Sequence, residues 1–132
     1  MFIGIDVRDT KIAVGLVNDK EQLSFDNMFP NDSEKSLDTL MLDIIFIIKN
    51  ISDTIPLELF NDRLLGIGIC IQETLDKDGI LQEVVQGHFQ IPVFVERLTV
   101  TTDESEDETG THKVNISNAR IIAAALLCKK RG

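Results

Sequence analysis

Carboxylates at the ends of apolar runs are the first residues in this sequence that could do chemistry. Asp6 closes the run Phe2–Val7 (FIGIDV), and Arg8-Asp9-Thr10-Lys11 follows it directly. An aspartate in that place can hold a divalent cation, or a water beside a phosphate. A second carboxylate, Glu96, sits in the later apolar stretch Pro92–Val100 (PVFVERLTV). The plainer alternative is that Asp6 hydrogen-bonds its own turn and Lys11 is a solvated strand residue.

Other reactive groups point to no site. Cys70 and Cys128 lie in apolar surroundings and read as buried reduced thiols. No spacing of Cys and His matches a metal centre, and no resident cofactor or metal is expected. Asp103, Glu104, Glu106, Asp107 and Glu108 put five acids within six residues. Such a run can chelate a hard cation, but its spacing does not match the EF-hand loop. The segment 101–113 is therefore expected to be a solvated acidic loop.

The elements that must position these residues follow from patterning. Phe2–Val7 and Lys11–Val17 (KIAVGLV) read as buried strands joined by the tight turn Arg8-Asp9-Thr10. Gln22–Met28 alternates and reads as a third strand, so the three form an antiparallel meander. Asp32 or Ser33 can cap a helix in which Leu37, Leu40, Met41, Ile44, Ile47, Ile48 and Ile51 recur at three- and four-residue spacing. Ser52–Arg63 is a polar connection. Leu64–Ile71 (LLGIGICI) is the continuous apolar run of a strand buried on both faces. Leu75–Ile80 has turn chemistry, and Ile80–Gln90 fits either a short helix or a strand. Pro92–Val100 is a fifth strand. A last helix is expected from a cap at Ser117 or Asn118 through Lys130, with basic residues at its C-terminal end.

The order β-β-β-α-β-(short α)-β-α defines an α/β domain of the ribonuclease H-like class, the lobe repeated in actin and sugar kinases, with a mixed five-stranded sheet. The chain of 132 residues makes one such domain, 1–132. Hydrophobic residues at 43% are enough for a core, and aromatics at 5% make that core aliphatic. A net charge of -9 counts against nucleic acid or an anionic membrane as partner. No run is long enough to span a bilayer, and no basic segment precedes an apolar stretch in the manner of a signal peptide. The expected location is the cytoplasm.

Four stretches carry a resemblance to a known family. Phe2–Val17 (FIGIDVRDTKIAVGLV) resembles the first phosphate motif of the ROK family of repressors and sugar kinases, a strand followed by D-x-G-G-T-K and a second strand. Leu65–Gly79 (LGIGICIQETLDKDG) resembles the family's G-I-G-x-P-G strand and its hairpin. Gly87–Glu96 (GHFQIPVFVE) resembles the approach to its catalytic strand. Asn118–Leu127 (NARIIAAALL) resembles its last helix. The resemblance implies a phosphate loop at Asp6, Thr10 and Lys11, and a single lobe closed by its own last helix, since family members carry a second lobe where Thr99–Val114 stands here.

The departures from the family pattern weigh against a sugar kinase. Arg8 and Asp9 stand where two glycines would let backbone N–H groups approach phosphate. Glu96-Arg97-Leu98 replaces the triplet whose final aspartate is the family's base, and leucine accepts no proton. Cys70-Ile71 replaces Pro-Gly, and the family's zinc cysteines are missing. The expectation is therefore a non-catalytic module, related to sugar-responsive regulators, that binds a protein partner or forms a homodimer over the face the second lobe would have covered. It shows no helix-turn-helix of its own. The alternative is a metal-dependent nuclease. Glu96-Arg97-Leu98-Thr99 also resembles the D-E-R-L-T strand of short resolvase-like proteins, with Asp6 and Glu96 as catalytic acids and Asn118 where their last helix carries aspartate. A third reading is a small-ligand site at the Gly66–Gly68 strand end.

Overall fold

Strand and helix assignments follow the apolar periodicity closely. In the computed structural model the described residues are 1–18, 20–32, 34–54, 65–89, 91–99 and 110–131, with side chains of Ser52, Thr54, 110–118, 130 and 131 excepted. The elements are β1 (Phe2–Val7), β2 (Lys11–Val17), β3 (Leu23–Pro30), α1 (Leu37–Thr54), β4 (Gly66–Gln72), a 3₁₀ turn (Glu73–Leu75), α2 (Leu81–His88), β5 (Val93–Leu98) and α3 (Gly110–Arg131).

The sheet order is β3-β2-β1-β4-β5. The hairpins β1–β2 and β2–β3 are antiparallel, and β1–β4 and β4–β5 are parallel. This is the mixed five-stranded sheet that the element order implies. β1 and β4 are buried along their whole lengths, as continuous apolar runs require between two helical layers.

Alternation divides the sheet between two cores. Ile3, Ile5, Val7, Ile12, Val14, Leu16, Ile67, Ile69 and Ile71 pack with Leu40, Met41, Ile44, Ile47, Ile48 and Ile51 of α1. Phe2, Ala13 and Val17 pack on the other face with Ile121, Ala125 and Cys128 of α3. Cys70 adds a third cluster with Ala124 and Leu127. The last helix thus lies on the sheet.

Glycine permits that closure. A Cβ added at Gly68 would stand 1.8 Å from the Ala124 carbonyl oxygen, and one at Gly4 would stand 2.1 Å from that of Ile121. The backbone of α3 therefore rests directly on β1 and β4, with Ala124 and Ala125 supplying the small side chains on the helical side. This accounts for Gly66 and Gly68 differently from the ligand-site reading. Gly66 faces the Cys128 Sγ and Gly68 the Ala124 carbonyl, so both glycines seat a helix.

Some boundaries differ from expectation. α3 begins at Gly110, so Ser117 and Asn118 lie within it and do not cap it, and residues 110–113 of the expected acidic loop are helical. The acids 103–108 lie outside the described residues, as does most of the connection 52–63. Ile80–Gln90 resolves as the helix Leu81–His88, whose Leu81 and Val85 are buried one turn apart. Ser36 caps α1 by accepting the Thr39 N–H at 3.2 Å, downstream of the expected Asp32 or Ser33.

Candidate functional site

The C-terminal ends of β1 and β5 and the middle of α3 enclose one small pocket. Asp6, Arg8, Cys70, Glu96, Leu98, Arg120, Ala123 and Leu127 line a volume of about 170 Å³. Asp6 and Glu96, proposed from sequence as a pair, are therefore neighbours in space. Parallel pairing through β4 sets this, since Asp6 stands opposite Cys70 and Cys70 opposite Glu96.

The state of Asp6 decides what the pocket can do. The side chain is 1% exposed, and Arg8 at 7% is nearly as deep. The Arg8 Nε donates to both carboxylate oxygens, at 3.1 Å to Oδ2 and 3.3 Å to Oδ1. A guanidinium thus occupies the coordination side of the carboxylate that a cation would use. Sequence reasoning treated Arg8 as an obstacle to phosphate and missed its ion pair. The two-residue spacing on one strand end was the available signal.

The adjoining turn is committed elsewhere. The Arg8 N–H donates to the Lys11 carbonyl at 2.8 Å, and the Asp9 N–H to the Gln72 Oε1 at 2.7 Å. Asn31 Nδ2 donates to the Arg8 carbonyl at 2.7 Å, and the Asn31 N–H to the Thr10 carbonyl at 3.0 Å. The backbone amides that a phosphate loop would present at positions 8 and 9 already have acceptors. Thr10 is exposed and Lys11 half-buried, and neither lines the pocket with Asp6. The contacts of Gln72 and Asn31 were invisible in the sequence, because both act across long separations.

The pocket does not fit a divalent metal. Among the described residues no three His, Cys, Asp or Glu side chains gather to hold one. Leu98, at the position of the kinase-type base, packs with Cys70, Ala124 and Leu127. Arg120 brings a second guanidinium to the lining. The Asn118 side chain is outside the description. Burial pushes the Cys128 thiol up to about 11, so it is no nucleophile at neutral pH. Cys70 is likewise buried, and neither cysteine is in a disulfide.

The fold defines a class: a ribonuclease H-like α/β domain, shared by sugar kinases and resolvases. Two sets of solved structures stand on either side of it. A ROK family glucokinase from Streptomyces griseus, solved with glucose and AMPPNP, superposes with a TM-score of 0.58 at 18% identity, over 73% of this chain and 32% of the glucokinase. The chain thus spans about a third of that enzyme's length. Thermus thermophilus RuvC with a Holliday junction substrate superposes at 0.55 with 13% identity, over 98% of this chain and 94% of RuvC. RuvC alone gives 0.51 at 12%, over 95% and 90%. These identities establish the fold alone. No protein-family model matches the chain, and no curated protein matches it in sequence. Among the described residues no helix is long and apolar enough to cross a membrane.

Proposed function

We propose that this chain is a non-catalytic, ROK-like single-lobe protein that serves as an interaction or regulatory module. The observation that carries the reading is the buried Arg8–Asp6 ion pair. Both phosphoryl transfer and two-metal hydrolysis on this fold would need the β1 carboxylate free for a cation or its water. Here a guanidinium neutralises it within the protein. Leu98 removes a general base, and the occupied amides of the Arg8–Lys11 turn remove a phosphate cradle. The acidic balance of the chain agrees, since a surface of net charge -9 repels polyphosphates.

The second reading, a metal-dependent nuclease, is favoured by two observations. RuvC matches nearly end to end, and Asp6 and Glu96 share one pocket. One assay separates them. Incubate the protein with Mg²⁺ or Mn²⁺ and single-stranded, duplex or branched DNA and RNA. The expected outcome is intact substrate. Cleavage that disappears in Asp6→Asn would overturn the non-catalytic reading and install the nuclease.

A further inference from the structure

β5 ends the sheet, yet its outer edge is bonded. The Ile67 N–H donates to the Pro92 carbonyl at 2.9 Å, so the alternate residues 92, 94 and 96 turn their backbone groups toward β4. Residues 91, 93, 95 and 97 turn theirs outward. Gln86 Oε1 accepts the Val93 N–H at 2.7 Å, and Gln86 Nε2 donates to the Ile91 carbonyl at 2.8 Å. Those are the two bonds that one residue of a parallel neighbouring strand would make, to a C=O and to the N–H two residues further on. Gln82 Oε1 accepts the Val95 N–H at 3.1 Å.

The two periods match. Gln82 and Gln86 stand four residues apart on α2, a rise of about 6 Å, and outward amides recur every second residue of a strand, about 6.6 Å apart. Leu81 and Val85, both fully buried, anchor the helix in the core. At the next outward position the helix has not yet begun. There the Arg97 Nη1 donates instead to the Asp76 and Lys77 carbonyls, at 3.3 and 3.1 Å, and holds the turn that leads into α2. Packing alone would ask only for the apolar side chains. The two exposed glutamines, aimed at successive outward amides, answer to something else.

We propose that Gln82 and Gln86 make α2 a surrogate sixth strand, a guard that closes β5 to strand addition. An extended peptide has to take the Val93 and Val95 amides from the glutamines before it can pair. The guard serves an interaction module and a nuclease alike, so it goes beyond the functional reading and can fail separately from it.

Amide exchange of the full chain, read residue by residue by NMR, tests the bonds. Gln82→Ala is expected to speed exchange at Val95 about tenfold or more, and to leave Val93 and the β4 amides unchanged. Gln86→Ala is expected to do the same at Val93 and leave Val95 unchanged. Gln82→Glu keeps an acceptor oxygen and is expected to keep Val95 protected. Alanine is the better helix former, so circular dichroism should stay as it is. A lysine-ended peptide of alternating threonine and valine tests the guard, its charge suiting a chain of net charge -9. The double variant Gln82→Ala/Gln86→Ala is expected to bind it about tenfold or more tightly than the native chain does, with protection restored at Val93 and Val95. Unchanged exchange in the alanine variants overturns the proposal, as does a rise in Gln82→Glu equal to that in Gln82→Ala, or one spread over the whole sheet. Equal binding to both chains, binding to neither, and protection by the peptide at residues other than 93 and 95 overturn it too.

Discussion

Removing the guanidinium of Arg8 should expose how the pocket is balanced. At 3.1 Å the gross attraction between Arg8 and Asp6 is about 5 kcal/mol at an effective dielectric of about 20. Most of that offsets the cost of taking two charges out of water, so the intact pair contributes little net. Breaking it is different. In Arg8→Met the Asp6 carboxylate, 1% exposed, is left without its cation, and the expected loss is about 3–5 kcal/mol. Asp6→Asn takes the carboxylate away from Arg8 and should also destabilise the fold. In the double variant Asp6→Asn/Arg8→Met neither charge remains, and stability should return to within about 1–2 kcal/mol of the native chain. Urea unfolding followed by circular dichroism at fixed pH and salt, with the slope held common, gives all four corners of the cycle. Additive losses, or single-variant losses below about 1 kcal/mol, would refute the reasoning. The pair would then be water-screened, and Asp6 would be available to a metal after all.

Further predictions concern the helices. Gly68→Ala sets a methyl against the Ala124 carbonyl and should destabilise the fold by about 3 kcal/mol or more. Gly87→Ala, in α2 with nothing within 4 Å of the added carbon, should stabilise by about 0.5 kcal/mol, and paired thermal melts would show the opposite signs. Cys128 gives the pH dependence. Its folded thiol titrates near 11 against 9.0 for the ordinary group, so the folded chain holds the proton longer. Stability from this group is whole below pH 9 and falls as pH rises toward 11. Unfolding measured across that window should lose this slope in Cys128→Ala.

Much of the architecture was legible because apolar periodicity is strong where burial is complete. β1, β2 and β4 have almost no exposed position, and α1 repeats its apolar residues at helical spacing. α2 was ambiguous because eight residues with two buried side chains give a weak period. The start of α3 was misplaced because Ser117 and Asn118 are good caps in isolation, and local preference does not reveal that the helix runs back to Gly110. At the site, the nearness of Asp6 and Glu96 followed from parallel β1–β4–β5 pairing, which the element order implies. The occupation of Asp6 by Arg8, and the clamps of Gln72 and Asn31 on the turn, depend on side-chain reach between distant segments. The glycines of β4 could have been read correctly from the alanines of the last helix, since close approach of two backbones needs small residues on both.

The seat of α3 on β1 and β4 has a consequence for how the chain is born. Phe2, Ala13 and Val17 leave the ribosome about 100 residues ahead of the helix that covers them. At ordinary rates of synthesis that delay is roughly 5–20 s. Over that interval one face of the nascent sheet stays wet while the other can already close on α1. The final helix therefore acts as a latch, and a chain stalled before it would present the quality-control machinery with a half-dressed sheet.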